Sequence, residues 1–136
     1  MSAPDAGQID ALVHAARIAQ GYAYAPYSGF RVGAAILGDD GTVVGGSNVE
    51  NASYGLSICA ERNAVHTAVV RGTSSIAAVA VAGPNEEPSW PCGACRQVLL
   101  EFGPDMLVIS EGTGGKREER RLSELLPDAF GPDDLK

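Results

Sequence analysis

The stretch from Ile76 to Gly83 contains only Ala, Val, Ile and Gly. A strand with no polar face must be covered on both sides, as happens when helices pack on both faces of a sheet. The stretch therefore predicts the central strand of an α/β protein.

The chain has 136 residues, and a typical domain has roughly 150. We therefore expect residues 1–136 to form a single domain.

Other strands are predicted on both sides of this segment in the sequence. Two apolar runs, 32–37 and 42–49, flank Asp39-Asp40-Gly41, a turn signal that predicts an antiparallel hairpin. Two further strands are expected at 106–110 and 117–122. The connection between them is too short for a parallel crossover, so the last strand is expected to run antiparallel.

Helices are predicted where apolar residues recur at helical spacing beside capping residues. Ser2 and Asp5 are a candidate capping pair for the first helix, with Pro4 inside its first turn. The tail from Ser123 is expected to form a short helical turn and an extended end. The three longer predicted helices run from the Ser2 cap to about Gly21, from Cys59 to Arg71 and from Pro91 to Gly103.

The order helix, hairpin, helix, strand, helix, strand, strand predicts an α/β sandwich with a mixed sheet. If the strands that end near Val49 and Gly83 are parallel, the helices that follow them begin at the same sheet edge. Ligands usually bind at such an edge. Cys59, Cys92 and Cys95 would meet there.

Charge and hydropathy exclude several classes of partner. Ten Lys and Arg against 17 Asp and Glu leave a formal net charge of -7, which argues against binding to nucleic acid or an anionic membrane. The one basic stretch, residues 116–121, is interleaved with Glu and is expected to be a solvated strand. No apolar run approaches the roughly 18 residues of a membrane span. We expect a cytoplasmic protein that binds a small molecule.

Three Cys are too few for a disulfide framework, and an odd number in a reducing compartment favours metal binding or catalysis. Each is predicted in the first turn of a helix, where the helix dipole stabilises the thiolate that binds zinc. Three ligands leave the fourth tetrahedral position for water, which is typical of a catalytic site. Glu61 follows Cys59 by two residues and supplies a candidate acid–base group.

Two other interpretations of the cysteines remain open. The segment from Trp90 to Cys95 resembles a thioredoxin-like dithiol, in which case Cys92 and Cys95 would be a redox pair and Cys59 a buried apolar residue. Alternatively, the thiols could hold zinc in a binding module that has no catalytic activity.

The combination of Cys59-Ala60-Glu61 with Pro91-Cys92-Gly93-Ala94-Cys95 matches the signature of zinc deaminases, with Cys as the first ligand. From Tyr22 to Leu135 the chain resembles the small homotetrameric cytidine deaminases, in the family's order and spacing. The matching segments are Pro26–Phe30, Val32–Ala35, Asn48–Gly55, Cys59–Arg62, Pro91–Val98 and Leu125–Phe130.

The resemblance implies a three-layer α/β/α sandwich with a five-stranded mixed sheet in the strand order 2-1-3-4-5. It also implies zinc-dependent hydrolysis of cytidine and 2′-deoxycytidine to uridine and 2′-deoxyuridine plus ammonia, in pyrimidine salvage. One Zn²⁺ per chain would be held by Cys59, Cys92 and Cys95. Glu61 would carry protons from the attacking water to ring N3 and to the leaving amino group. Arg62 would contact the cysteine sulfurs and offset their charge.

The resemblance also assigns residues to the substrate. Asn48 and Glu50 would hold the ribose hydroxyls, and their spacing would place both side chains on one face of an extended segment. Phe30 is expected against the pyrimidine ring and Ala60 at the substrate. Tyr54 is a further candidate for the pocket wall.

The last expectation concerns the C-terminal segment, residues 123–136. Phe130 lies in a tail rich in Pro and Asp, where a large aromatic side chain has little local core to enter. In the family that this chain resembles, the segment reaches a neighbouring subunit. We therefore expect a homotetramer in which Phe130 completes the pyrimidine pocket of another chain.

Overall fold

A computed structural model describes residues 3–136, which contain one five-stranded sheet. The order across the sheet is β2-β1-β3-β4-β5, as predicted. The neighbours β3 and β4 are parallel and the other neighbouring pairs are antiparallel, so the sheet is mixed. The strands are β1 (Gly33–Gly38), β2 (Val43–Ser47), β3 (Ile76–Ala82), β4 (Leu107–Glu111) and β5 (Arg117–Arg121).

The helices lie close to their predicted positions, with corrections at the first helix. Asp5 is its N-cap and its carboxylate accepts a hydrogen bond from the Gln8 N–H at 2.8 Å. Pro4 therefore precedes the helix, and the prediction that it lies inside the first turn is wrong. Ser2, the other predicted cap, lies outside the described residues. The α-helices are α1 (Ala6–Gln20), α2 (Ala60–Val70), α3 (Gly93–Phe102) and α4 (Leu122–Leu125).

Two predicted extended segments have a different local structure. The second strand of the hairpin ends at Ser47, and Val49 beyond it forms isolated bridges with Tyr24 and Ile58. The chain end is not extended, because Pro132–Leu135 form a 3₁₀ turn. A proline at the first position favours such a turn, and the Asp134 carboxylate accepts a hydrogen bond from the Gly131 N–H.

Buried apolar side chains form two clusters, one on each face of the sheet. Ala78 and Ala80 of β3 belong to the cluster under α1, whereas Val79 belongs to the cluster under α2 and α3. Both faces of β3 are therefore covered, which accounts for its uniformly apolar sequence. The result is the predicted three-layer sandwich.

A close approach between α2 and β2 positions the start of α2 relative to the sheet. A Cβ atom at Gly46 would lie 2.4 Å from the Ala64 backbone nitrogen and 2.7 Å from the Ala60 carbonyl oxygen. Only glycine at this position lets the helix backbone rest directly on the strand. The first residues of α2 are thereby held against the end of β2.

Both β2 and β3 are antiparallel to β1, so they run in the same direction and end at the same sheet edge. Helix α2 follows β2 along the chain, and α3 follows β3. Both helices therefore begin at one edge, as predicted, and bring their first residues together.

Within residues 3–136, no helix combines the length and the hydropathy that crossing a bilayer requires.

Candidate metal centre and active site

The three cysteine sulfur atoms lie within 4.8 Å of one another, and we call them the sulfur cluster. The Sγ atoms of Cys92 and Cys95 are 3.5 Å apart, and those of Cys59 and Cys92 are 3.9 Å apart. Cys59 is the N-cap of α2, and Cys92 is the N-cap of α3. These two residues therefore lie one position before the helical turn in which they had been predicted, while Cys95 lies in the first turn of α3.

Negative charge is favoured at Cys59. Its thiol pKa is lowered to about 5, chiefly because the Cys95 thiol donates a hydrogen bond to it, with further contributions from Arg62 and Cys92. The pKa of Cys95 is raised, because its proton is held by Cys59 and its sulfur is buried. Three converging sulfur donors suit Zn²⁺, and a set of three leaves one tetrahedral position open.

Arg62 contacts the sulfur cluster from the first turn of α2. Its Nη2 atom lies 3.5 Å from Cys59 Sγ, and this hydrogen bond raises the pKa of the guanidinium. Its buried Nε has no hydrogen-bond partner among residues 3–136. The positive charge of the Arg62 guanidinium therefore offsets negative charge on the thiolates.

Glu61 is buried beside the cluster, with only 5% of its surface exposed. Burial raises its carboxyl pKa to about 7, and the neighbouring charge of Cys59 acts in the same direction. A carboxyl group that titrates near neutral pH can both accept and donate a proton at that pH. It is therefore suited to general acid–base chemistry.

A cavity of about 180 Å³, which we call the inner cavity, contains part of the sulfur cluster and Glu61. Three of the residues that were predicted to contact substrate line it together with Cys59, Glu61 and Cys92. These residues are Phe30, Asn48 and Ala60. A mainly apolar lining with a few convergent polar groups is typical of a site for a small molecule.

Four other residues that line the inner cavity had no predicted role in the site: Val32, Val81, Ser89 and Trp90. The two valines have the sequence pattern of ordinary strand residues and carry no signal of their own. Trp90 does carry one, because it is the single Trp of the chain and immediately precedes Pro91-Cys92.

Asn48 and Glu50 do not line the same cavity. Asn48 lines the inner cavity, where its Oδ1 accepts a hydrogen bond from the Val32 N–H at 2.9 Å and its Nδ2 donates one to the Phe30 carbonyl at 2.7 Å. Glu50 lines a second cavity of about 250 Å³, the outer cavity. There it accepts hydrogen bonds from the Ser28 hydroxyl and from the N–H groups of Tyr27 and Ser28, which lower the pKa of its carboxyl.

The remaining predicted substrate residues are exposed. Tyr54 lines the outer cavity, is 74% exposed, and packs at 5.7 Å between ring centroids against Tyr27. Phe130 is 60% exposed and is not among the residues that line the inner cavity. Its carbonyl accepts a hydrogen bond from Gln97 of α3. Within one chain, therefore, Phe130 does not join the sulfur cluster.

A mixed sheet with thiols and a buried carboxyl at the starts of two helices defines an α/β protein with a three-thiol metal centre. Residues 7–111 match a family model described as the cytidine and deoxycytidylate deaminase zinc-binding region. The chain therefore belongs to this deaminase family, which confirms the resemblance and the expected zinc-binding centre.

Individual relatives agree with this assignment over most of the chain. A cytidine deaminase from Halalkalibacterium halodurans is 49% identical over 114 residues, which cover 83% of this chain and 86% of the relative. One from Mycobacterium tuberculosis is 51% identical over 113 residues, which cover 83% and 82%. A crystal structure of cytidine deaminase from Burkholderia pseudomallei superposes with a TM-score of 0.86 at 49% identity, covering 89% of this chain and 98% of that one.

Proposed function

We propose that this protein is a zinc-dependent enzyme that hydrolyses cytidine and 2′-deoxycytidine to uridine and 2′-deoxyuridine, releasing ammonia, in pyrimidine salvage. The observation that carries the proposal is the sulfur cluster beside the buried carboxyl of Glu61. The relatives described as cytidine deaminases support the choice of substrate.

Cys59, Cys92 and Cys95 would hold one Zn²⁺ per chain. Their soft sulfur donors fit this ion, and the N-termini of α2 and α3 together with Arg62 would offset the net negative charge of three thiolates and one divalent cation. Bound there, zinc would supply the Lewis acidity that makes water a nucleophile near neutral pH.

Glu61 would move the protons of the reaction. It would accept one proton from the attacking water and pass it to ring N3. It would then accept the second proton from the hydroxyl group added at C4 and pass it to the departing amino group, so that one water is consumed and one ammonia released. Its pKa of about 7 suits a group that must work in both directions. Its carboxylate is not part of the sulfur cluster, so this role leaves the metal ligands unchanged.

The base and the sugar would be bound by different parts of the site. Phe30 and Ala60 would contact the pyrimidine ring in the inner cavity. Asn48 and Glu50 would bind the ribose hydroxyls with the hydrogen-bonding capacity that remains after they have ordered residues 27–32. Tyr54 would form the wall of the outer cavity.

We further propose a cytoplasmic homotetramer in which residues 123–136 reach a neighbouring subunit and Phe130 enters its pyrimidine pocket. Several large apolar side chains are exposed in the single chain, as expected if part of its surface is covered by neighbouring subunits. These side chains include Tyr22 at 80%, Leu56 at 65% and Phe130 at 60% exposure. Light scattering on the native protein tests the assembly, and a fully active monomer would contradict it.

The deciding experiment is an assay of ammonia release from cytidine by the purified protein, with zinc measured on the same sample. We expect one zinc per chain and turnover of cytidine and 2′-deoxycytidine. Zinc-free protein that reduces disulfides and leaves cytidine unchanged would instead support the redox interpretation. Bound zinc with no turnover of any nucleoside would support a binding module.

A further inference from the structure

The connection from β3 to α3, residues 83–92, forms one wall of the inner cavity. Ser89 and Trp90 line this cavity, and Cys92 of the sulfur cluster follows Trp90 by two residues. A loop can hold a wall in place only when its backbone is anchored to a rigid element. The anchor of Ser89 therefore determines how well this side of the cavity is defined.

Ser110 of β4 supplies that anchor. It is fully buried, and its hydroxyl donates a hydrogen bond of 2.6 Å to the Ser89 carbonyl oxygen. A buried hydroxyl group is costly unless it is hydrogen-bonded, so the donor and its acceptor are held together. The bond joins the loop to β4, the strand beside the central strand β3.

Gly83, the residue after β3, makes a second contact that restricts the position of Ser89. A Cβ atom at Gly83 would lie 2.5 Å from Ser89 Oγ and 2.9 Å from Ser89 Cβ. Ser89 therefore packs directly on the Gly83 backbone while its carbonyl is bonded to Ser110. Two independent contacts thus set the position of the residue that precedes Trp90.

We propose that Ser110 is a positioning residue of the active site, which holds the wall formed by Ser89 and Trp90 at the distance that the pyrimidine ring requires. This inference rests on the proposed deamination of cytidine and assigns Ser110 no contact with substrate. Because the wall binds the ring and moves no proton, its displacement weakens substrate binding and leaves the chemical step unchanged.

Steady-state kinetics of Ser110→Ala with cytidine provide the first test. We expect KM to rise about 5-fold or more, the scale of one lost hydrogen bond, with kcat close to wild type and one zinc per chain. Ser47→Ala is the matched control. Its hydroxyl also donates to a backbone carbonyl, that of Ala19 at 2.5 Å, but it ties β2 to α1 and lines neither cavity.

Trp90 gives a second readout that does not depend on turnover, because it is the single Trp of the chain. We expect Ser110→Ala to shift its emission and to increase its quenching by acrylamide, whereas Ser47→Ala should change neither. This measurement tests Ser110 even if the ammonia assay were to show that cytidine is not the substrate.

Gly83→Ala displaces Ser89 through its other contact, that with the Gly83 backbone, and provides a test if Ser110→Ala does not fold. We expect the same combination of raised KM, retained zinc and altered Trp90 emission. Folded Ser110→Ala or Gly83→Ala protein with reduced thermal stability, but with wild-type KM and wild-type Trp90 emission, would overturn the proposal. Such a result would mean that the Ser110 hydroxyl stabilises the fold but does not position the cavity wall.

Discussion

The inner and outer cavities are built in different ways. The inner cavity takes its reactive groups from the starts of α2 and α3, where Cys59 and Glu61 are held by regular structure and Glu61 is buried. The outer cavity is formed by Tyr27, Ser28, Glu50, Tyr54 and Ser57, which lie outside the α-helices and strands, and Tyr54 is largely exposed. Within one chain, the inner cavity is therefore set by regular structure, whereas the outer cavity depends on more irregular segments.

The different surroundings of the two cavities shift the pKa values of their carboxyl groups, Glu61 and Glu50, in opposite directions. Burial raises the pKa of Glu61 to about 7, whereas hydrogen bonds from Ser28 and Tyr27 lower the pKa of the less deeply buried Glu50. Glu61 can therefore exchange protons near neutral pH, while Glu50 stays ionised and acts only as an acceptor. The same residue type is therefore suited to acid–base chemistry in one cavity and to accepting hydrogen bonds in the other.

The largest effect should follow from loss of a sulfur in the inner cavity. Cys95→Ala leaves two sulfur donors, so we expect zinc to fall from one per chain to almost none and turnover to be lost. Elemental analysis and the ammonia assay measure both. His14→Ala is the control, because His14 is a potential ligand outside the cluster, on the exposed side of α1. Retained zinc in Cys95→Ala would remove this residue from the metal site.

Glu61→Gln should separate proton transfer from metal binding. We expect kcat to fall by about 10²–10⁴-fold, the usual contribution of a general acid–base group, with zinc and KM near their wild-type values. Glu101→Gln, on the exposed side of α3, is the matched control and should remain active. Near-wild-type deamination by Glu61→Gln would rule out the proposed proton path.

The raised pKa of Glu61 also predicts a pH dependence of stability. Between its ordinary pKa of 4.5 and about 7, the folded state holds a proton that the unfolded state has lost, so stability falls as pH rises through this range. The loss is at most about 3 kcal/mol. Denaturant unfolding with a chelator present should show it in the wild type and not in Glu61→Gln. Parallel pH profiles would show that burial does not perturb this carboxyl.

Phe130→Ala tests whether the site is completed by another subunit. Stacking of an aromatic ring on a base contributes about 1–3 kcal/mol, so we expect kcat/KM to fall by about 5- to 150-fold with zinc retained. Mixing Phe130→Ala chains with Glu61→Gln chains should restore activity, because some sites then receive both intact residues. Leu135→Ala, which shortens another exposed side chain of the tail, is the control. Absence of rescue would place Phe130 in its own chain's site or outside every site.

The smallest effect is expected for the sugar contacts. Asn48→Ala and Glu50→Gln should each weaken the preference for cytidine over free cytosine by about 2- to 12-fold, the range of one hydrogen bond. Cytosine is the internal control, because it has no ribose to lose. An equal loss of activity on both compounds would mean that these residues order the loop and do not bind the sugar.

Prediction from sequence was most accurate where one local property decided the structure. The all-apolar segment at 76–83 is the buried central strand, and the turn at Asp39-Asp40-Gly41 joins an antiparallel hairpin. The predictions were wrong where neighbouring groups compete. Pro4 lies outside α1 because Asp5 caps the helix, and the chain end turns because Pro132 and the Asp134 carboxylate favour a 3₁₀ turn.

The sequence by itself determined the layered α/β class, through apolar segments, and the chemistry of the metal centre, through three Cys and one adjacent Glu. Only the tertiary structure decided that the sulfurs converge within 4.8 Å, that Glu61 is buried, that Glu50 is turned toward Ser28 and that Ser110 holds the Ser89 carbonyl. Residue type and local pattern can be read directly from the sequence. Burial and hydrogen bonding between distant segments arise only when the whole chain packs, because they depend on which elements lie side by side.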